Sequence, residues 1–226
     1  MANTTTDEFG IVRAVADIYN LPQGGDIQMT FNNRGDQLYA QALPPKAEIV
    51  RMGYMWTCRQ TAAAAFTHVA ALPTTRAELF VMNNEPSGGK CYVIDTVWSL
   101  NVTTSMAAVN QLGLIVQIVP AATMVAPTHD ATTSFIDSRN GKASYTGNMK
   151  RAVAQATGCF TDLWTLLATS VYTTAAATLG TATFAEVWGG LIIPPGAGLG
   201  INLVSGIAVG KSIVGFSWAE LQLPLA

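Results

Sequence analysis

Charge is scarce in this chain. Only 12% of its 226 residues are Asp, Glu, Lys or Arg, against roughly 25% in an average globular protein, so its polar surface has to come from Thr, Ser, Asn and Gln. The 12 basic and 14 acidic side chains leave a formal charge of −2 and a pI of about 5.6. That balance supplies no long-range attraction for nucleic acid or for an anionic membrane surface, and neither is expected as a partner. Cysteine is thin: Cys58, Cys91 and Cys159 form no C-x-x-C pair, which excludes a zinc knuckle or a disulfide framework. Three small buried thiols in a reducing compartment are expected instead. The only histidines, His68 and His129, lie outside any H-E-x-x-H arrangement, so no metal or other cofactor is expected. The start, Met1–Glu8, lacks the basic and apolar regions of a secretory leader, and export by that route is not expected.

Two stretches, Leu163–Ala185 and Val187–Gly210, carry no charge at all. Each passes the length test of about 20 residues for a membrane-spanning helix. The first is thick with Thr, however, and the second holds Pro194-Pro195 and many glycines, which would cost helical hydrogen bonds where lipid cannot replace them. Buried or intersubunit β-structure accounts better for the missing charge.

What the sequence does contain is β-prone. Residues 1–46 differ from the rest, with a polar start, short apolar groups (Phe9, Ile11, Val12, Ile18, Tyr19), an Asn32-Asn33-Arg34-Gly35-Asp36 turn and a Pro44-Pro45 stop. This predicts an extended N-terminal arm that finds its burial elsewhere. From residue 47 onward, short apolar runs alternate with turn clusters, as in a single β-sandwich domain over 47–226. Runs are expected over Ile49–Thr61, Ala77–Met82, Cys91–Val102, Leu112–Val119, Gly200–Val204 and Ser212–Leu223. Strict alternation would place Tyr92, Ile94, Thr96, Trp98 and Leu100 on one face of Cys91–Val102, and Val214, Phe216 and Trp218 on one face of the last run. Asn140-Gly141 predicts a hairpin turn. Residues 162–178 fit either helix or strand, with strand preferred.

Candidate chemistry is sparse. A Cys58–His68 pair has no local signature, His129-Asp130 reads as a solvated turn, and no serine sits in G-x-S-x-G. Gly196-Ala197-Gly198-Leu199-Gly200 is followed by a β-like run rather than a helix, so it reads as a turn and not as a phosphate loop. Asp95, Asp162, Glu186 and Glu220 stand singly, and the five tryptophans fit packing better than sugar stacking. No catalytic residue is named. Arg34-Gly35-Asp36 reads as a turn whose charges pair or meet a neighbouring subunit.

The arm, the low-charge Thr/Ala/Gly-rich β domain, and the passage from Ile192-Ile193-Pro194-Pro195-Gly196 to Trp218-Ala219-Glu220-Leu221 together resemble virion structural proteins of tailed bacteriophages. The likeness is to jelly-roll decoration, or cement, proteins. It implies a jelly-roll antiparallel β-sandwich that clamps neighbouring major capsid subunits without enzymatic activity. It further implies a homotrimer on the capsid surface, assembled in the host cytoplasm, with Phe9, Ile11, Val12, Ile18, Tyr19 and Arg34 as contact residues. Scarce charge independently points to an obligate oligomer, because isolated monomers rarely expose large apolar patches. The alternatives are a tail, fibre or lectin-like receptor-binding module using tryptophans and the 126–147 loop, and a β-sandwich enzyme using Cys58, His68 and His129.

Overall fold

The computed structural model describes residues 11–13, 26–28, 30–31, 37–38, 45–60, 65–67, 76–102, 110–125, 127–129, 136–141, 144–154, 159–161, 163–172, 182–206 and 210–222. The chain divides into two units, residues 1–49 and 50–226. In the first, β1 (Ile11–Arg13) pairs antiparallel with β2 (Asp26–Gln28), and β3 (Thr30–Phe31) with β4 (Gln37–Leu38). A helix, Pro45–Arg51, follows. The single β run expected over Ile49–Thr61 is therefore wrong in its first part. Pro45 has the φ that a helical first turn needs and no amide to leave unpaired there, and Gly53 at φ +78 ends the helical turns before the strand begins.

The second unit is all-β. Its strands are β5 (Met55–Arg59), β6 (Phe66–Thr67), β7 (Leu79–Asn83), β8 (Cys91–Asn101), β9 (Asn110–Val119), β10 (Thr128–His129), β11 (Ile136–Ser138), β12 (Met149–Ala154), β13 (Thr165–Tyr172), β14 (Ala182–Ile193), β15 (Gly198–Ser205) and β16 (Lys211–Leu221). They form two antiparallel sheets. One runs β10-β12-β7-β15-β9-β13, the other β11-β5-β16-β8-β14 with β6 alongside β16. Residues 165–172 are thus strand. Among the described residues no helix is long and apolar enough to cross a membrane.

The sheets share one core. Leu79, Val81, Leu114, Val116, Leu199 and Ile201 from the first meet Trp56, Tyr92, Ile94, Val97, Phe216 and Trp218 from the second, which is the packing of a β-sandwich. The alternation in β16 holds as expected, with Val214, Phe216 and Trp218 all inward. In β8 it does not. Trp218 lies opposite Ile94 and Ser217 opposite Thr96, so Asp95 is an extra residue. That bulge shifts the phase by one, sending Val97, Ser99 and Asn101 inward in place of Thr96, Trp98 and Leu100. β14 bulges at the same level: Glu186 faces Thr96 and Leu191 faces Ile94, with Val187–Gly190 looped between and Gly189 at φ +78.

The predicted Asn140-Gly141 turn exists, with Gly141 at φ +72, yet it makes no hairpin. β11 before it pairs with β5 and β12 after it pairs with β7, so the chain crosses from one sheet to the other there. Buried amides take the place of missing ions in closing the ends. Asn83 Nδ2 donates to the carbonyls of Lys90 and Ile193, both at 2.9 Å. Gln60 Nε2 donates to the Glu78 carbonyl at 2.7 Å and its Oε1 accepts from the Val214 amide at 3.0 Å, tying one sheet to the other.

Part of the outer face of the first sheet is also covered. Phe80 and Ile115 point away from the shared core and pack with Cys159 and Phe160. Gln117 holds this strap by accepting from the Thr161 amide and donating to the Thr161 hydroxyl, both at 2.7 Å. The Phe160 ring lies where a side chain on Gly200 would be, 2.6 Å from an added Cβ.

Candidate interaction surface

Of the contact residues expected in the arm, Phe9, Ile18, Tyr19 and Arg34 lie outside the described residues. Ile11 and Val12 are placed in β1, opposite Gln28 and Ile27. Of the residues of possible catalytic interest, the two that are described, Cys58 and His129, lie on different sheets. Cys58 is fully buried in the core, and burial pushes its thiol up to about 12, against a smaller downward pull from Arg151. Such a thiol stays protonated at neutral pH. His68 lies outside the described residues. His129 sits on β10, at the far edge of the other sheet, where partial burial and then the Lys150 charge push its imidazole down.

The described carboxylates are dispersed, and Asp162 lies outside the described residues. Glu220 is buried against the Tyr145 hydroxyl and Lys90, whereas Asp95 accepts from the Ser217 hydroxyl at 3.1 Å beside Thr96 on the outer face of the second sheet. No group of three or more His, Cys, Asp or Glu among the described residues is placed to hold a metal ion. Gly196, at φ +80, turns the chain directly into β15, as a strand-to-strand turn requires. Trp56 and Trp218 are core, while Trp98 lies across Gly215. Trp164 differs, standing half-buried at the surface.

Around Trp164 the surface is apolar and open. β13 is the edge strand of the first sheet. Its bulge between Leu166 and Ala168 leaves Leu166, Thr169 and Val171 on the outer face. Leu163, Leu166 and Val171 are 80%, 52% and 61% exposed. A groove of about 330 Å³ runs beside them, walled by Trp164, Leu166 and Val204 and floored by Gly113. An added Cβ at Gly113 would lie 3.2 Å from the end of the Leu166 side chain, so a side chain there would crowd the groove. Gln111, Thr169 and Ser205 supply its polar rim.

The neighbouring edge strand also carries exposed apolar side chains. β14 is the edge of the second sheet, and the Thr183 hydroxyl donates to Ser170 at 2.6 Å, joining the two edge strands. Phe184, next along β14, is 66% exposed and Ile192 is 38% exposed. Apart from Trp164, weighed among the five tryptophans, none of these residues is singled out as a contact by the sequence. The available signal was the charge-free stretch over 163–185, which announces contact without naming which side chains face outward.

No family model matches this chain, and neither a curated protein nor a solved structure matches it.

Proposed function

We propose that this protein is a virion structural protein of the jelly-roll decoration type, working without catalysis by clamping neighbouring major capsid subunits as a homo-oligomer. The strand order supports the jelly-roll part. Lettering β5, β7, β8, β9, β13, β14, β15 and β16 as B to I, the two sheets contain the orders B-I-D-G and C-H-E-F, the arrangement made by two nested Greek keys. β10, β11 and β12 are then additions between E and F.

The observation that carries the functional part is the exposed apolar margin formed by Leu163, Leu166, Val171 and Phe184 on a stretch without charge. Isolated monomers seldom leave such a margin open. The test is co-sedimentation of the full chain, and of a chain lacking residues 1–20, with shells of the virus whose genome encodes it. The full chain pellets with shells and the shortened one stays oligomeric but unbound. Failure of the full chain to bind overturns the proposal. A second function is favoured by one detail, Trp164 lining the groove together with Gln111 and Thr169, which combines an aromatic surface with hydrogen-bonding side chains of the kind a sugar would meet. Glycan-array binding abolished by Trp164→Ala would select it.

A further inference from the structure

Among the described residues the two sheet paths end in four strands, and three of these are blunted. β10 is two residues long with a register shift, beside a strand bearing Lys150 and Arg151. β11 is three residues long and includes Asp137. β14 carries Glu186 and is interrupted by the Val187–Gly190 loop. Short length, charge and bulges are the devices by which β-proteins keep edges from pairing with other chains. β13 has less of this protection. It is eight residues long, TLLATSVY, without charge or proline, and regular from Ala168 to Tyr172. Its outer side has no partner strand among the described residues.

We propose that β13 pairs antiparallel with β13 of a second copy about a two-fold axis, joining two first sheets into one continuous sheet. The occupant must supply extended backbone and apolar side chains but no charge, because residues 163–185 hold nothing to neutralise an ion taken out of water. The same edge of another copy meets that requirement. The N-terminal strands do not, since β1 brings Arg13 and its partner β2 brings Asp26. A two-fold contact is self-complementary and closes at two copies.

The size also suffices. Eight residues at about 3.4 Å give an edge of roughly 27 Å, and two sheets about 10 Å apart with their outer side chains are roughly 20 Å deep, so each copy covers about 500 Å². The total of about 1,000 Å² is the lower bound for a specific interface. The inference does not rest on the capsid proposal, because it concerns copies of this chain alone.

Native mass spectrometry of the full chain, with Thr169→Lys/Val171→Lys beside it, tests the pairing. Both positions are exposed, so the variant keeps the parent's melting temperature while its mass halves. Even-numbered assemblies are expected for the parent, a dimer or, if a three-fold contact coexists, a hexamer. Single cysteines at Thr169, Ser170 and Val171 cross-link to themselves on oxidation, with a maximum at the axis; the native cysteines are all buried. A monomer at about 100 μM, above the micromolar Kd expected of so small an interface, overturns the proposal. So does an odd-numbered assembly, an assembly unchanged by the two lysines, or cross-linking to residues 1–49 in place of self-linking. Shell binding by the lysine variant is read separately: its loss or retention bears on the capsid proposal and leaves the mass result standing.

Discussion

The Tyr145 hydroxyl donates a 2.5 Å hydrogen bond to Oε1 of Glu220, fastening the crossing between sheets to the last strand inside the core. The Tyr145 hydroxyl oxygen in turn accepts from the Met149 amide at 2.9 Å, and Glu220 Oε2 lies 3.4 Å from Lys90 Nζ. The phenol ring is set edge-on to Trp56 at 4.8 Å and to Trp218 at 5.9 Å. Ring packing and hydrogen bonding therefore act on one side chain.

Tyr145→Phe separates them. It keeps the ring but leaves a buried amide and a buried carboxylate oxygen without this partner, a loss of about 1–3 kcal/mol. Denaturant unfolding is expected to show a lower midpoint with an unchanged slope. An unchanged midpoint would mean that both groups find other partners at no cost.

The alkaline side of the stability curve should be steep. Burial pushes the Cys58 thiol up to about 12 and the Tyr92 and Tyr145 phenols above their usual range. Unfolded, such groups ionise near 8.5 and 10. The folded form holds protons the unfolded form releases, so stability is full below about pH 8 and falls as pH rises toward 12, by about 1.4 kcal/mol per unit for each group. Cys58→Ala should remove one group's share of that slope between pH 9 and 11, measured by urea unfolding across the range.

One side-chain amide makes two of the hydrogen bonds that hold the Phe160 strap. Gln117→Ala removes both bonds to Thr161 and should cost about 1–3 kcal/mol. Hydrogen exchange at residues 159–161 should accelerate while β15 and β16 keep their protection. Equal acceleration everywhere would instead mark the strap as part of the global unfolding unit.

Trp98 and Gly215 are matched across neighbouring strands. An added Cβ at Gly215 meets the indole of Trp98 and lies 2.8 Å from the Cys58 carbonyl. Gly215→Ala should destabilise by about 1–3 kcal/mol through overpacking. Pairing it with Trp98→Leu should recover part of the loss, a coupling that a double-mutant cycle reads directly. Additive losses would show that the backbone contact, and not the indole, sets the cost.

A strand that carries no extra residue of its own was readable from its own residues. In β16, alternation put Val214, Phe216 and Trp218 inward, and they are inward. In β8 the same rule failed beyond Asp95, because a bulge is a property of a strand and its partners together. Asn140-Gly141 was recognisable as a turn, but the sheets joined by it depend on pairings with β5 and β7, far away in the chain. Tyr145 gave no signal: one tyrosine in a polar stretch looks like surface until Glu220 is folded against it.

By itself the sequence determined the class and the economy of this protein. So few ionic side chains, with short apolar runs between Gly, Pro and Asn turns, oblige it to bury β-strands, close its ends with amides and leave little charge to guard its surfaces. Only the tertiary structure decided which strand became an unguarded edge and which residues a bulge sent outward. Those outcomes follow from hydrogen-bond registers between segments distant in sequence, where one extra residue exchanges the inner face for the outer.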